Sequence, residues 1–354
     1  MKNKILTIFV AISVLVLALT SCTGVASTAT SWGGATVTDS AVYFADGMQV
    51  VALRLDNGAN IWSYPEKADA TRNFLAAPVL AGEQLIVADT GNLLTSINSR
   101  DGVTQNWQFA GATGKYIDTP LVVGETIIAP NADNSLYALD LKGVKLWEFA
   151  ADNSFWAQPA SDGKLVFAPN FDHYLYAVDL ATGVLRWKTD LKASLVARPT
   201  LVDGVIYVGN IDGNFYALDS ERGYILWETK VAGGVWAAPN LVDGKLYFGD
   251  PTGIINILNA DYGSVVDAIK VESGIIGSGV IVTDGIVFGK ENGDIITIGF
   301  DGSNLGTKTV GGSIYSNLSI NGNLFVVVAT KGENPLVAFD TDVKQSWVYT
   351  TSKK

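Results

Sequence analysis

The chain of 354 residues contains one histidine, His173, and one cysteine, Cys22, so any chemistry built on imidazole or thiol rests on these two side chains. A nucleophilic serine needs an imidazole beside it, which would make His173 the base of any triad. Forty residues further on the same place holds Gly213, then Gly253 and Gly293, and one unit earlier it holds Asn134. Glycine, asparagine and histidine share a tolerance of left-handed backbone, so the position reads as a tight turn rather than a base. Zinc sites want several His or Cys ligands, which this inventory does not supply. The 35 acidic residues allow chance carboxylate pairs without a pattern that selects one. The glycines recur with the period of the chain instead of forming a phosphate loop. No catalytic residue and no metal site is expected.

Charge and composition narrow the partners. The formal net charge is −11, and no sustained Lys/Arg stripe interrupts it, so a phosphate backbone is repelled and nucleic acid is not expected as a partner. At 48% hydrophobic and 17% charged residues the chain has the composition of a packed globular protein, not a disordered one.

At the N-terminus Lys2 and Lys4 precede an apolar run from Ile5 to Leu19. That run is shorter than the roughly 20 residues a helix needs to span a bilayer, so it reads as an export signal. Leu19-Thr20-Ser21-Cys22 follows directly. It resembles a bacterial lipobox, which implies cleavage before Cys22 and lipidation of its sulfur. Three segments are expected: a signal peptide over 1–21, a lipidated tether over 22–30 and a folded domain over 31–351. Thr23 is not the aspartate that resembles an inner-membrane retention signal, so attachment to an outer membrane facing the periplasm is expected in a diderm, and the cell surface otherwise.

The folded part is a repeat. Trp62, Trp107, Trp147, Trp187 and Trp227 are spaced by 45, 40, 40 and 40 residues, the next slot falls on Asp267, and Trp347 lies two further periods on. Eight units of about 40 residues, each with four short stretches of period-2 alternation, predict an all-β, eight-bladed β-propeller of four-stranded antiparallel blades. Asp179 with Gly183, Asp219 with Gly223 and Asn259 with Gly263 mark the turn between third and fourth strands.

Ala177-x-Asp179-x-x-x-Gly183-x-x-x-Trp187 and Ala217-x-Asp219-x-x-x-Gly223-x-x-x-Trp227 resemble the tryptophan-docking repeat of the quinoprotein, or PQQ-like, propeller superfamily. Units around Trp62, Trp147 and Trp347 carry it with departures: Arg54 for the aspartate, one residue fewer before Trp147, and no glycine before Trp347. The resemblance implies that Trp62, Trp107, Trp147, Trp187, Trp227 and Trp347 are structural, each docking on an alanine and a glycine of the neighbouring blade. Units six and seven have lost the motif, so the weakest interfaces are expected there. Quinoprotein alcohol dehydrogenases are longer and carry an adjacent cysteine pair. This chain has none, and PQQ is not expected as a cofactor. In length, blade number and lipobox it looks like the BamB-type lipoprotein of the outer-membrane barrel-assembly machinery. That likeness implies a non-enzymatic, monomeric scaffold for a protein partner in the cell envelope. A cell-surface receptor for a small molecule or glycan is the alternative, and a quinone-dependent dehydrogenase the third.

One column offers a binding surface. Trp32, Leu75, Ile117, Trp156, Val196, Trp236, Ile276 and Tyr315 align at the start of the first strands. The next position is small except at Asp118, and two along come Thr119, Gln158, Arg198, Ser278 and Asn317. First strands converge on the axis of a propeller, so a funnel is expected in which Trp32, Trp156, Trp236 and Tyr315 grip a partner segment or sugar and Gln158, Arg198 and Asn317 orient it. Packing between blades is the competing account of the same aromatic residues.

Overall fold

In the computed structural model residues 33–350 are described, and they contain only strands and turns. Thirty-two strands form eight antiparallel sheets of four, each sheet built from consecutive strands. Blade 1 covers 35–64, blade 2 79–109, blade 3 121–150, blade 4 160–190, blade 5 200–230, blade 6 240–270, blade 7 280–309 and blade 8 319–349. The expected all-β, eight-bladed propeller is what the chain forms. The signal peptide over 1–21, the tether over 22–30 with Cys22, and Trp32 lie outside the described residues.

Each blade is graded from axis to rim. Second and third strands are buried along almost their whole length, as in Val205–Gly209 and Asn214–Asp219, because both faces meet a neighbouring blade. Fourth strands such as Leu185–Asp190 alternate exposed and half-buried residues, because one edge faces water. The turns behave as the repeats predict. Asn134, His173, Gly213, Gly253 and Gly293 all have positive φ, with His173 at 78°. At the outer turn Asp179 O accepts the Gly183 N–H at 2.8 Å, and Gly183 takes φ 70°.

The blades are joined at the rim by one recurring contact. Trp62, Trp107, Trp147, Trp187, Trp227 and Trp347 lie over Gly102, Gly143, Gly183, Gly223, Gly263 and Gly58 of the next blade. Each indole also donates its N–H to a backbone carbonyl there: Trp187 to Ser220 at 3.1 Å, Trp227 to Ala260 at 2.9 Å. A Cβ on Gly183 would stand 2.7 Å from the Trp147 ring, so the position admits no side chain. The alanine of the motif belongs elsewhere than the resemblance implied. Ala177 is the cross-strand partner of Trp187 within its own blade, at a register shift, and its small side chain leaves the indole room to reach outward. Ring closure uses the same device: Trp347 of blade 8 covers Gly58 of blade 1 and donates to Leu55 O at 2.9 Å. Every blade is continuous in sequence, so closure needs no exchanged strand among the described residues.

Blades 6 and 7 depart from the pattern in different ways. Asp267 takes the indole slot above Gly302, and the free carbonyl of Phe300 accepts the Tyr247 hydroxyl at 2.8 Å instead. In blade 7 the slot is Gly306, paired with Thr297, and its φ of 147° excludes a tryptophan. The glycine of blade 8 opposite is replaced by Val343, held at φ 59° and packed against the core shared by blades 7 and 8. A side chain has moved from one blade to the other, a reciprocal exchange that fills part of the gap.

Trp187→Ala removes an indole and its hydrogen bond, and is expected to cost about 3–5 kcal/mol. Asp267→Ala touches an exposed side chain and should cost within about 0.5 kcal/mol. Denaturant unfolding of the two variants measures the difference. Arg186 and Thr182 hydrogen bonds hold the Asp179 carboxyl at about 2, below the ordinary carboxylate range. The lowered value means that Asp179 stabilises the fold above the unfolded carboxylate range and loses that contribution as pH falls toward 2. Arg186→Ala should move the Asp179 titration upward by NMR.

Candidate functional site

The segment that carries each blade's outer strand into the next blade's inner strand converges on the ring axis. There Leu75, Ile117, Trp156, Val196, Trp236, Ile276 and Tyr315 border a single cavity of about 370 Å³. The column lies just before the inner strands rather than in them: the ladder of blade 4 begins at Ala160, four residues past Trp156. Alternation persists across this extended entry, since Trp156 and Gln158 face the cavity while Ala157 between them is buried. The small column has a direct steric reason. A Cβ on Gly277 would collide with the Ser316 carbonyl of the next blade.

Asp118 breaks the small column and repays it in hydrogen bonds. One carboxylate oxygen accepts the Thr119 N–H at 2.7 Å and the other accepts the Gln158 N–H of the next blade at 2.8 Å. Burial raises its carboxyl above the ordinary value, against the pull of these N–H groups and of Arg198. Other blades make the same kind of spoke from the polar column. Ser278 Oγ accepts the Ala238 N–H at 2.9 Å, and Asn317 Oδ1 accepts the Ser278 N–H at 2.8 Å. Gln158 also donates Nε2 to Pro120 O at 3.1 Å.

The expected orienting residues therefore divide. Gln158 and Asn317 are partly engaged in holding blade to blade, and Ser278 does not line the cavity. Arg198 lines it and has no hydrogen-bond or ion-pair partner among the described residues. Its side chain meets water inside the channel, yet the surrounding walls pull the guanidinium below its ordinary value, with the Asp118 charge opposing. Of the aromatic residues, Trp156 is 38% exposed and rests on Phe171 of its own blade, ring centroids 4.6 Å apart. The contact is within blade 4, not between blades. Trp236 and Tyr315 are half-buried at the same cavity. Trp32 lies outside the described residues.

Two features were not foreseen. Asp89, Asn131, Asn170, Asn210 and Asp250 form a buried polar column after the second strands. There Asn210 Nδ2 donates to Leu191 O at 2.7 Å and Oδ1 accepts the Asp212 N–H at 3.1 Å. Their spacing by 42, 39, 40 and 40 residues was the available signal. The second feature is Arg72, which sits over the rings of Tyr64 and Phe74 and pairs with buried Asp89 at 2.7 Å. It anchors the loop that accounts for the 45-residue gap between Trp62 and Trp107.

The quinone of the wider superfamily, with its metal, asks for convergent oxygen ligands. Both Asp118 oxygens accept peptide N–H groups, and no three His, Cys, Asp or Glu side chains converge among the described residues.

Comparison with known proteins adds three findings. The chain matches the family described as outer membrane protein assembly factor BamB over residues 19–154 and 134–275. No curated protein matches its sequence. Among solved structures it is similar to BamB from Moraxella catarrhalis, with a TM-score of 0.74, 16% identity, and coverage of 90% of this chain and 94% of that one. It is equally similar to the computationally designed Ika8 protein, with a TM-score of 0.74, 14% identity, and coverage of 87% and 95%. At such identities the structural likeness shows the fold alone, and 1641 solved chains share it to a significant degree, so the fold does not choose a function.

Trp156→Ala should leave the unfolding midpoint nearly unchanged, costing about 1 kcal/mol or less, because its ring is half in water. Asp118→Ala orphans the Gln158 N–H and should cost about 1–3 kcal/mol. Thermal melts of the two variants test that ordering.

Proposed function

The chain belongs to the family of the outer membrane protein assembly factor BamB, and from that membership we propose that it is a non-enzymatic binding scaffold serving outer-membrane protein assembly in the cell envelope. It is exported, cleaved and held to the membrane by acylated Cys22, on the outer membrane facing the periplasm in a diderm. It acts as a monomeric propeller, without PQQ. Its partner is a protein that docks at the mouth of the axial funnel, where Trp156, Trp236 and Tyr315 supply apolar contact and Arg198 a charge.

The observation that carries this reading is the division of labour around the axis. Most polar side chains there are tied to neighbouring blades, while a partly exposed indole and a guanidinium without a hydrogen-bond partner among the described residues remain facing the cavity. Exposed aromatic and arginine side chains in a concave setting are the usual anchors of protein interfaces. His173 supports the non-enzymatic part, since its φ of 78° places the one imidazole in a turn between second and third strands.

Affinity capture of the lipidated protein from its native envelope, followed by mass spectrometry, tests the proposal. Recovery of an outer-membrane barrel protein with periplasmic domains is the expected result. Its amount should fall at least about tenfold in a Trp156→Ala/Trp236→Ala variant that melts like the parent, the loss of two hot-spot anchors. Capture of no stoichiometric protein would remove the scaffold reading and leave the small-molecule receptor.

A further inference from the structure

The axial cavity holds one guanidinium and one carboxylate, and they are employed differently. Asp118 spends both oxygens on peptide N–H groups of its own and the adjacent blade. Arg198 spends none of its five donors on the described residues. A guanidinium at a cavity wall with no protein acceptor among the described residues is a planar fork matched to a carboxylate.

The rest of the lining bears on what accompanies the carboxylate. Hydroxyl and amide groups of Thr119 and Asn317 border the space, and the Trp156 ring stands partly open at its edge. That mixture suits a ring carrying hydroxyl groups better than an aliphatic chain. A single cation in the described lining, within a chain of net charge −11, suits a monoanion better than a phosphate or polyacid. A cavity of about 370 Å³ is at the small end of ligand pockets and suits a single ring.

We propose that the axial cavity binds a small sugar acid, its carboxylate on Arg198, its hydroxyl groups toward Thr119 and Asn317, and its ring against Trp156. The inference rests on the funnel being a binding site and does not depend on which protein docks at its mouth.

Isothermal titration of the full-length protein in detergent with D-glucuronate, D-glucose and acetate tests it. Glucuronate is expected to bind, with glucose and acetate at least about tenfold weaker, since one charge-assisted bidentate contact and one ring each contribute on that scale. Arg198→Met should weaken glucuronate at least about tenfold, and Arg198→Lys, which keeps the charge but not the fork, should lose less. Melting curves confirm that both variants are folded. Absence of heat with glucuronate at about 10 mM, or equal affinity in Arg198→Met, overturns the proposal, as a site weaker than millimolar has no specific contact to lose. Acetate binding as tightly as glucuronate also overturns it, marking an adventitious ion only. If affinity capture fails while glucuronate binds, the scaffold reading falls and the cavity site stands.

Discussion

The ring depends on one contact, an indole laid across a glycine of the next blade. A four-stranded blade cannot bury both faces by itself, so stability comes from neighbours, and the rim is where neighbours have least to share. Trp62, Trp107, Trp147, Trp187, Trp227 and Trp347 each bring a large apolar surface to that weak place and end it with a hydrogen bond to a backbone carbonyl. The contact requires no Cβ on one side and only alanine or serine beneath the indole on the other, which is why the motif spans eleven residues instead of one. Because Trp347 reaches Gly58, the last blade is joined to the first by the same chemistry as the rest.

Holding the rim in this way decides what happens at the axis. Eight inner segments are forced together, and the residue between the cavity-facing positions must be small, as at Gly277 against the Ser316 carbonyl, or hydrogen-bonded into place, as at Asp118. The polar side chains beside these positions become spokes, with Asp118, Ser278 and Asn317 each accepting an N–H of an adjacent blade. What remains facing the cavity after those demands are met is a short set, and Arg198 stands out within it because nothing in the described ring needs it.

Much of this was legible from residues alone because the repeat shows the same position eight times. The forty-residue spacing of tryptophans predicted blade number, and the sharing of one place by Asn134, His173 and Gly213 predicted a left-handed turn, which φ values of 72°, 78° and 84° match. The axial column was legible too, since small residues following Leu75, Trp156 and Val196 recur at that period. Less visible was anything decided by which atom faces which neighbour. Gln158 and Arg198 occupy the same column, yet Gln158 donates to Pro120 while Arg198 makes no hydrogen bond to a described residue and faces the cavity. The exchange of Gly306 and Val343 was equally hidden, because the two residues belong to different units and each looks like a simple loss when read alone.

The central claim is that the mouth of the axial funnel, and not the apolar outer rim, is where this protein meets its partner. Site-specific photocrosslinking in the native envelope addresses it directly, with a photoreactive phenylalanine placed at position 156 in one strain and at position 226 on the exposed fourth strand of blade 5 in another. The account predicts a discrete protein adduct from position 156 and none from position 226. Adducts from position 226 alone would contradict it and place the working surface on the outside of the ring.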